Sequence, residues 1–173
     1  MVFLNDARIL TQYLMDLGCQ NVALFSAILF LIVGKYSVKG FVSKVVETLC
    51  DVDSEMIIRC SVDELEERLN QILESRPVDG FFAVDEDASL AICKVAKKRE
   101  ISVPDELSVI GYAGEKLATN VAPGLTTVNQ NGVSIGREAA RIMLDRIESD
   151  KGPFTKKVIT TTIERRASTH RKK

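Results

Sequence analysis

A chain of 173 residues, 46% hydrophobic and 27% charged, can bury one sizeable core and is too apolar to be disordered. A formal net charge of −1 excludes a chain-wide nucleic-acid surface; the one basic cluster, Arg165, Arg166, Arg171, Lys172 and Lys173, reads as a solvated charge run. Cysteines at 19, 50, 60 and 93 lack C-x-x-C spacing and His170 is the single histidine, which excludes a metal site and fits reduced thiols in a cytoplasmic protein.

In chain order, Leu10, Tyr13, Leu14 and Leu17 share one helical face, and Gly18 stops that helix as a C′ glycine. Asn21 to Phe25 reads as a strand. The apolar run Val22 to Val33 is shorter than the roughly 20 residues a membrane-spanning helix needs. No basic segment precedes it, so it is a poor signal peptide and reads as a buried strand running into an apolar loop. Lys35 to Leu49 is expected helical, with Val38, Phe41, Val45 and Leu49 inward, and Met56 to Cys60 forms a short strand. Ser61 to Glu64 has the form of a capping box and opens a helix burying Leu65, Leu69, Ile72 and Leu73.

Val78 to Val84 is an apolar strand. Asp85, Glu86 and Asp87 then open a helix carrying Ala91, Ile92, Val95 and Ala96 inward and ending in Lys97, Lys98 and Arg99, charges that suit its dipole. Strands follow at 107–112 and 125–128. A helix at about 133–148 should turn Ile135, Ala139, Ile142, Met143 and Ile147 inward, and Lys157 to Arg165 is the last strand. Strands apolar almost throughout, alternating with helices, predict an α/β fold with a parallel doubly wound sheet covered on both faces.

Six pieces stand in order: Tyr13 to Ala23 (YLMDLGCQNVA), Lys39-Gly40-Phe41, Asp79 to Val84 (DGFFAV), Val103 to Tyr112 (VPDELSVIGY), Leu125 to Val128 (LTTV) and Glu164 to Thr169 (ERRAST). Together they resemble the effector-binding domain of the lac repressor/galactose repressor family of bacterial transcription regulators. The resemblance implies a periplasmic-binding-protein-like fold of type I, here incomplete. Residues 1–173 then make a single domain fragment. Residues 19–125 and 157–165 form the C-terminal lobe, residues 1–18 and 129–150 are remnants of the N-terminal lobe, and no DNA-binding headpiece is present.

In that family a small-molecule effector lies between the lobes and shifts their angle, which reorients headpieces on operator DNA. The positions that correspond to its pocket are Leu31, Val33 and Ser37 after the first strand, Glu86 at a helix start, and Tyr112 and Ala113 after the 107–112 strand. The family usually has polar residues in the first loop, an arginine at the Ser37 position and an aspartate at the Ala113 position. The substitutions here point away from a common sugar bound in the usual way and toward a more apolar ligand, no ligand, or one held mostly by the other lobe. The resemblance also places Leu90, Cys93, Lys94, Lys97 and Leu117 on a dimer face, against the plain reading of a solvated helix side.

Other motifs read as structure. Asp85, Glu86 and Asp87 cap a helix rather than hold Mg²⁺. Gly132 to Gly136 lacks phosphate-loop spacing. No nucleophile stands beside a base, and there is no G-x-S-x-G, so no enzyme is expected and no cofactor or metal is called for. The expected function is the sensor and dimerisation part of a cytoplasmic, repressor-type regulator, with itself, an effector and, through a headpiece, operator DNA as partners, and no membrane. The alternatives are a solute-binding module and a ligand-free dimerisation fragment. A chain lacking one lobe should expose apolar surface and self-associate.

Overall fold

The structure is a computed structural model that describes residues 2–28, 31–49, 53–148 and 156–169. In chain order its helices and strands are α1 (Val2–Asp16), β1 (Val22–Ser26), α2 (Ile32–Leu49), β2 (Ile57–Arg59), α3 (Leu65–Ser75), β3 (Gly80–Ala83), α4 (Glu86–Lys98), β4 (Ser108–Gly111), α5 (Glu115–Asn120), β5 (Thr126–Asn129), α6 (Gly132–Glu148) and β6 (Thr162–Glu164). The strands form one sheet in the order β2-β1-β3-β4-β5-β6. The first five run parallel and β6 returns antiparallel to β5.

Alternation along each strand builds two cores from one sheet. Ala23, Phe25, Phe81, Ala83 and Val109 point to one face and pack under α3 and α4. Val22, Leu24, Phe82, Val84, Ile110 and Tyr112 point to the other, under α1 and α2. Because both faces are covered, the strands are apolar at successive positions, and Phe25, Phe81 and Phe82 are fully buried. The Asp79 carboxylate accepts from the amides of Gln20 and Asn21, each at 2.8 Å, so the start of β1 is pinned to the start of β3.

Helix α1 ends as its sequence predicts. Gly18 has φ of +91°, its amide bonds to the Met15 carbonyl at 2.9 Å, and the Cys19 amide reaches Leu14 at 3.2 Å, the pair of bonds that closes a Schellman cap. The placement of this helix corrects the expected division of the chain. Residues 1–18 are not a remnant of a second lobe. Ala7, Leu10 and Leu14 are buried with Phe41, Phe82 and Ile110, and α1 lies lengthwise on α2. A stripe of apolar residues at helical spacing is buried by the nearest open sheet face, and here that face belongs to β1, β3 and β4.

Helix α6 behaves in the opposite way. Ile135, Met143 and Ile147, expected to face inward, are 47%, 65% and 68% exposed, Ala139 is exposed as well, and Ile142 is only half-buried. The helix is amphipathic, but no strand of this sheet lies beneath its apolar stripe. The last strand is also shorter than expected. Of the span 157–165 only Thr162–Glu164 pairs in the sheet, because residues 156–161 run past α6 and the N-terminal part of α1 instead. Helix α2 starts earlier than expected, at Ile32, so the apolar run after β1 divides between a strand, a short connection and a helix start.

No helix among the described residues is long and apolar enough to cross a membrane.

Candidate functional site at the strand ends

Parallel strands covered by helices leave their carboxyl ends as the open edge where ligands collect in such folds. Here a pocket of about 460 Å³ opens there, bounded by the segments that follow β3, β4 and β5 and by the strand β6.

Each wall follows from local sequence. After β3, Asp85 is the N-cap of α4: its Oδ1 accepts from the Ala88 amide at 2.8 Å, while its Oδ2 accepts from the Ala27 amide at 2.8 Å and the Ser26 hydroxyl at 3.2 Å. One carboxylate thus starts the helix and fixes the end of β1. The next residue, Glu86, is left to reach sideways, and its Oε1 accepts from the Gly114 amide at 3.2 Å.

At the end of β4, Gly111 is required by close approach. A Cβ there would stand 2.6 Å from Ser89 Oγ and 2.8 Å from both the Cβ and the carbonyl oxygen of Ala83. This lets α4 sit tightly against the sheet and carries Tyr112, Ala113 and Gly114 to the pocket wall. The Tyr112 ring tilts against Phe82, with centroids 6.2 Å apart. Its hydroxyl is buried and faces Asp6 Oδ2 of α1 without closing a hydrogen bond. Burial, and then the Asp6 charge, push the Tyr112 phenol well above its ordinary pKa. Burial likewise raises the Asp6 carboxyl, against the Thr161 and Tyr112 hydroxyls, which favour its ionised form.

The far wall is β5 with β6. Arg166 Nη1 donates to the Leu125 carbonyl at 3.1 Å and the Thr127 hydroxyl at 2.9 Å. Ser168 Oγ donates to the Val109 carbonyl at 2.6 Å and accepts from the Thr126 amide at 2.8 Å. The Arg165 guanidinium lies 5.3 Å from the centre of the Tyr13 ring. Arg166 is therefore held by the fold and does not belong to a solvated charge run, while Arg165 is exposed and lies over the Tyr13 ring. Arg171, Lys172, Lys173 and His170 lie outside the described residues.

Three of the six residues aligned with the family pocket meet here: Glu86, Tyr112 and Ala113. The other three do not line this pocket. Leu31 is 56% exposed just before α2, Val33 packs half-buried on the α1–α2 side, and Ser37 is wholly buried on the inner face of α2. Leu29 and Phe30 of the same loop lie outside the described residues. The hydroxyl of Ser37 has no hydrogen-bond partner, so at this position the chain has a small core residue and no group that reaches a ligand. Sequence reasoning missed Glu115, Thr127, Asn129, Gln130, Glu164 and Arg166 in the lining. Four of these stand in or beside the LTTV and ERRAST pieces, and the signal was the pairing of β6 with the end of β5, which places them opposite each other.

On α4, Leu90, Lys94 and Lys97 are exposed, and Cys93 and, on α5, Leu117 are half-buried. Lys94 is not idle, since it pairs with Glu66 of α3, which also takes Lys98 at 2.6 Å. Burial pushes the Cys93 thiol up to about 11, so it stays protonated at neutral pH. Cys19 is buried and Cys60 half-buried, neither of them in a disulfide, and Cys50 lies outside the described residues. No group of three or more histidine, cysteine or carboxylate side chains suited to a metal ion occurs among the described residues. A larger, mostly apolar groove of about 580 Å³ lies along α6, between Phe3, Ile135, Ile142 and Val158. It has few polar groups to orient a small ligand and continues the uncovered stripe of α6.

Residues 11–169 match the family described as periplasmic binding protein-like domain. The ribose operon repressor of Halalkalibacterium halodurans is 28% identical over 82% of the chain and 43% of its own length. The transcriptional repressor PurR of Mannheimia succiniciproducens is 31% identical over 79% of the chain and 42% of its own length. A transcriptional regulator CelR–cellobiose complex superposes with a TM-score of 0.85 at 24% identity, over 97% of this chain and 52% of that one. The chain thus spans less than half the length of these curated relatives.

Proposed function

Because the chain belongs to the periplasmic-binding-protein-like effector domains of the lac repressor/galactose repressor family, we propose that it is the ligand-sensing and dimerisation part of a repressor-type transcription regulator. The observation that carries this reading is the polar pocket at the carboxyl ends of β3, β4 and β5, where Glu86, Tyr112 and Ala113 converge. A ligand seated there bridges this lobe to whatever stands across the pocket. Its binding energy then biases the angle between the two, and operator DNA is read by a headpiece outside these residues. The role is binding, with no bond made or broken, and it is exercised in the cytoplasm, where the regulator meets its operator.

The test is thermal unfolding against sugars, nucleosides, sugar acids and amines, on the chain and on the full-length regulator. A ligand at 100 times its dissociation constant adds about 2.7 kcal/mol. Stabilisation that disappears when Ala113→Trp fills the pocket supports the reading; a ligand that protects the variant equally well sinks it.

A second role, self-association, is favoured by exposed Leu90 on α4, beside Lys97 and with Leu117 on the neighbouring α5. We place the regulator's dimer contact on that face.

A further inference from the structure

The charge of the pocket lining is unbalanced. Glu86, Glu115 and Glu164 face a single cation, Arg166. Among the described residues Glu86 takes the Gly114 amide and Glu164 the Asn129 side-chain amide, each at 3.2 Å, and neither bond brings positive charge. None of the three carboxylates is in an ion pair among the described residues. Arg166 offsets at most one of the three charges, and it is not free to turn to a ligand with Nη1. Its Nη1 is spent on the carbonyls of Leu125 and Glu164 and the hydroxyl of Thr127, in joining β6 to β5.

In open solvent such carboxylates cost nothing. A ligand that closes the pocket removes their water, and a neutral ligand then leaves three carboxylates with reduced solvation against one guanidinium, an excess of two negative charges. Hydroxyl groups can donate to carboxylates in bonds that are themselves charge-assisted, but only a protonated amine also cancels the charge. The remaining lining, with Thr127, Asn129 and Gln130, suits a polar body with hydroxyls. The apolar loop that pointed to an apolar ligand contributes none of its described residues to this wall.

We propose that the pocket takes a small hydroxylated ligand bearing a protonated primary amine, of the amino-sugar class, with Glu86, Glu115 and Glu164 sharing its charge. This rests on the reading of the pocket as the effector site and specifies the chemistry recognised there.

The experiment is titration calorimetry on matched pairs: glucosamine and glucose, galactosamine and galactose, mannosamine and mannose, on the chain and on the full-length regulator, with ribose and guanosine as neutral references. At least one amine should bind tenfold or more tightly than its hydroxyl twin. The preference should shrink in 0.5 M salt and vanish in the variant Glu86→Gln/Glu115→Gln/Glu164→Gln, whose folding is checked by thermal unfolding. A neutral compound that binds as well as or better than every amine, and is blocked by Ala113→Trp, overturns the amine assignment and leaves the effector reading standing. Binding of no compound, or binding that Ala113→Trp leaves untouched, overturns both. The ligand pairs decide the matter on the unmodified protein even if the triple variant does not fold.

Discussion

Thr161 donates its hydroxyl to Asp6 Oδ1 at 2.6 Å and so ties the segment leaving α6 to the first helix of the chain. Asp6 is buried, and burial raises its pKa from the ordinary 3.8. A carboxyl whose native pKa exceeds its unfolded value holds its proton more tightly in the folded state. Its contribution is therefore full below the ordinary value and is lost as the pH rises through the native one. Asp6→Asn keeps an acceptor for Thr161 and removes the ionisation. Urea unfolding at pH 4.5, 5.5 and 7 should show this variant losing less stability than the parent as the pH rises. An unchanged slope would mean that Asp6 is solvated in a way its burial does not show.

Glu138 on α6 provides the opposite sign. Arg141, and then Lys157 at 2.7 Å, hold its carboxyl down at about 2. The stability from this pair is present above the ordinary glutamate value and fades only as the pH falls toward 2. With Arg141 and Lys157 exposed, the interaction is screened by salt, and its window lies below the pH range tested with Asp6.

Gly40 is where α2 touches α1. A Cβ at this position would lie 2.4 Å from the Leu4 carbonyl oxygen and 2.8 Å from Ala7 Cβ. Backbone cannot move aside as a flexible side chain can, so Gly40→Ala should cost about 3 kcal/mol. Gly136→Ala, on α6, meets nothing within 4 Å and should stabilise by up to about 1 kcal/mol through helix propensity. Denaturant midpoints of the two variants should move in opposite directions.

Ser168→Ala strips two buried partners at once, the Thr126 amide and the Val109 carbonyl. Leaving both unsatisfied should cost about 3 kcal/mol. Thr119→Ala, which removes only exposed bonds to the Glu115 and Lys116 carbonyls within α5, serves as the comparison and should shift the midpoint hardly at all.

Two separate surfaces should drive association. Sedimentation velocity should find the chain self-associating as concentration rises. Leu144→Asp with Ile147→Asp, on the bare stripe of α6, should remove the larger species, since both side chains are more than half exposed. Leu90→Arg, on α4, should remove the dimer. A chain that stays monomeric at high concentration rules out both contacts.

The sheet was legible because its strands are buried on both faces and leave unbroken apolar runs, and because Gly18 and Asp85 punctuate helices in ways that local chemistry dictates. The site was only half legible. Glu86, Tyr112 and Ala113 follow strand ends, so a sequence pattern finds them. Ser37 is indicated only by the resemblance to the family, and a small side chain at an inward helical position sinks into the core. Glu164 ends a strand that pairs with β5 after a long excursion, Arg166 follows it by two residues, and no local pattern reports that pairing. On α6 the reverse holds, since an apolar stripe predicts burial and the helix leaves it exposed. Helical periodicity shows which side seeks a partner and says nothing about where that partner comes from.

Asn129 and Thr162 are opposite one another in the β5–β6 pair. Residues so paired sit about 5 Å apart. As far as the sheet is concerned, everything from 130 to 161 is one large hairpin loop. A two-residue Asn-Gly turn spans the same gap. Replacing the excursion with such a turn would give a miniature of this fold, free of α6 and its sticky stripe, in which the pocket walls at β3, β4, β5 and β6 could be studied without Gln130, Gly132 and the surface that draws copies together.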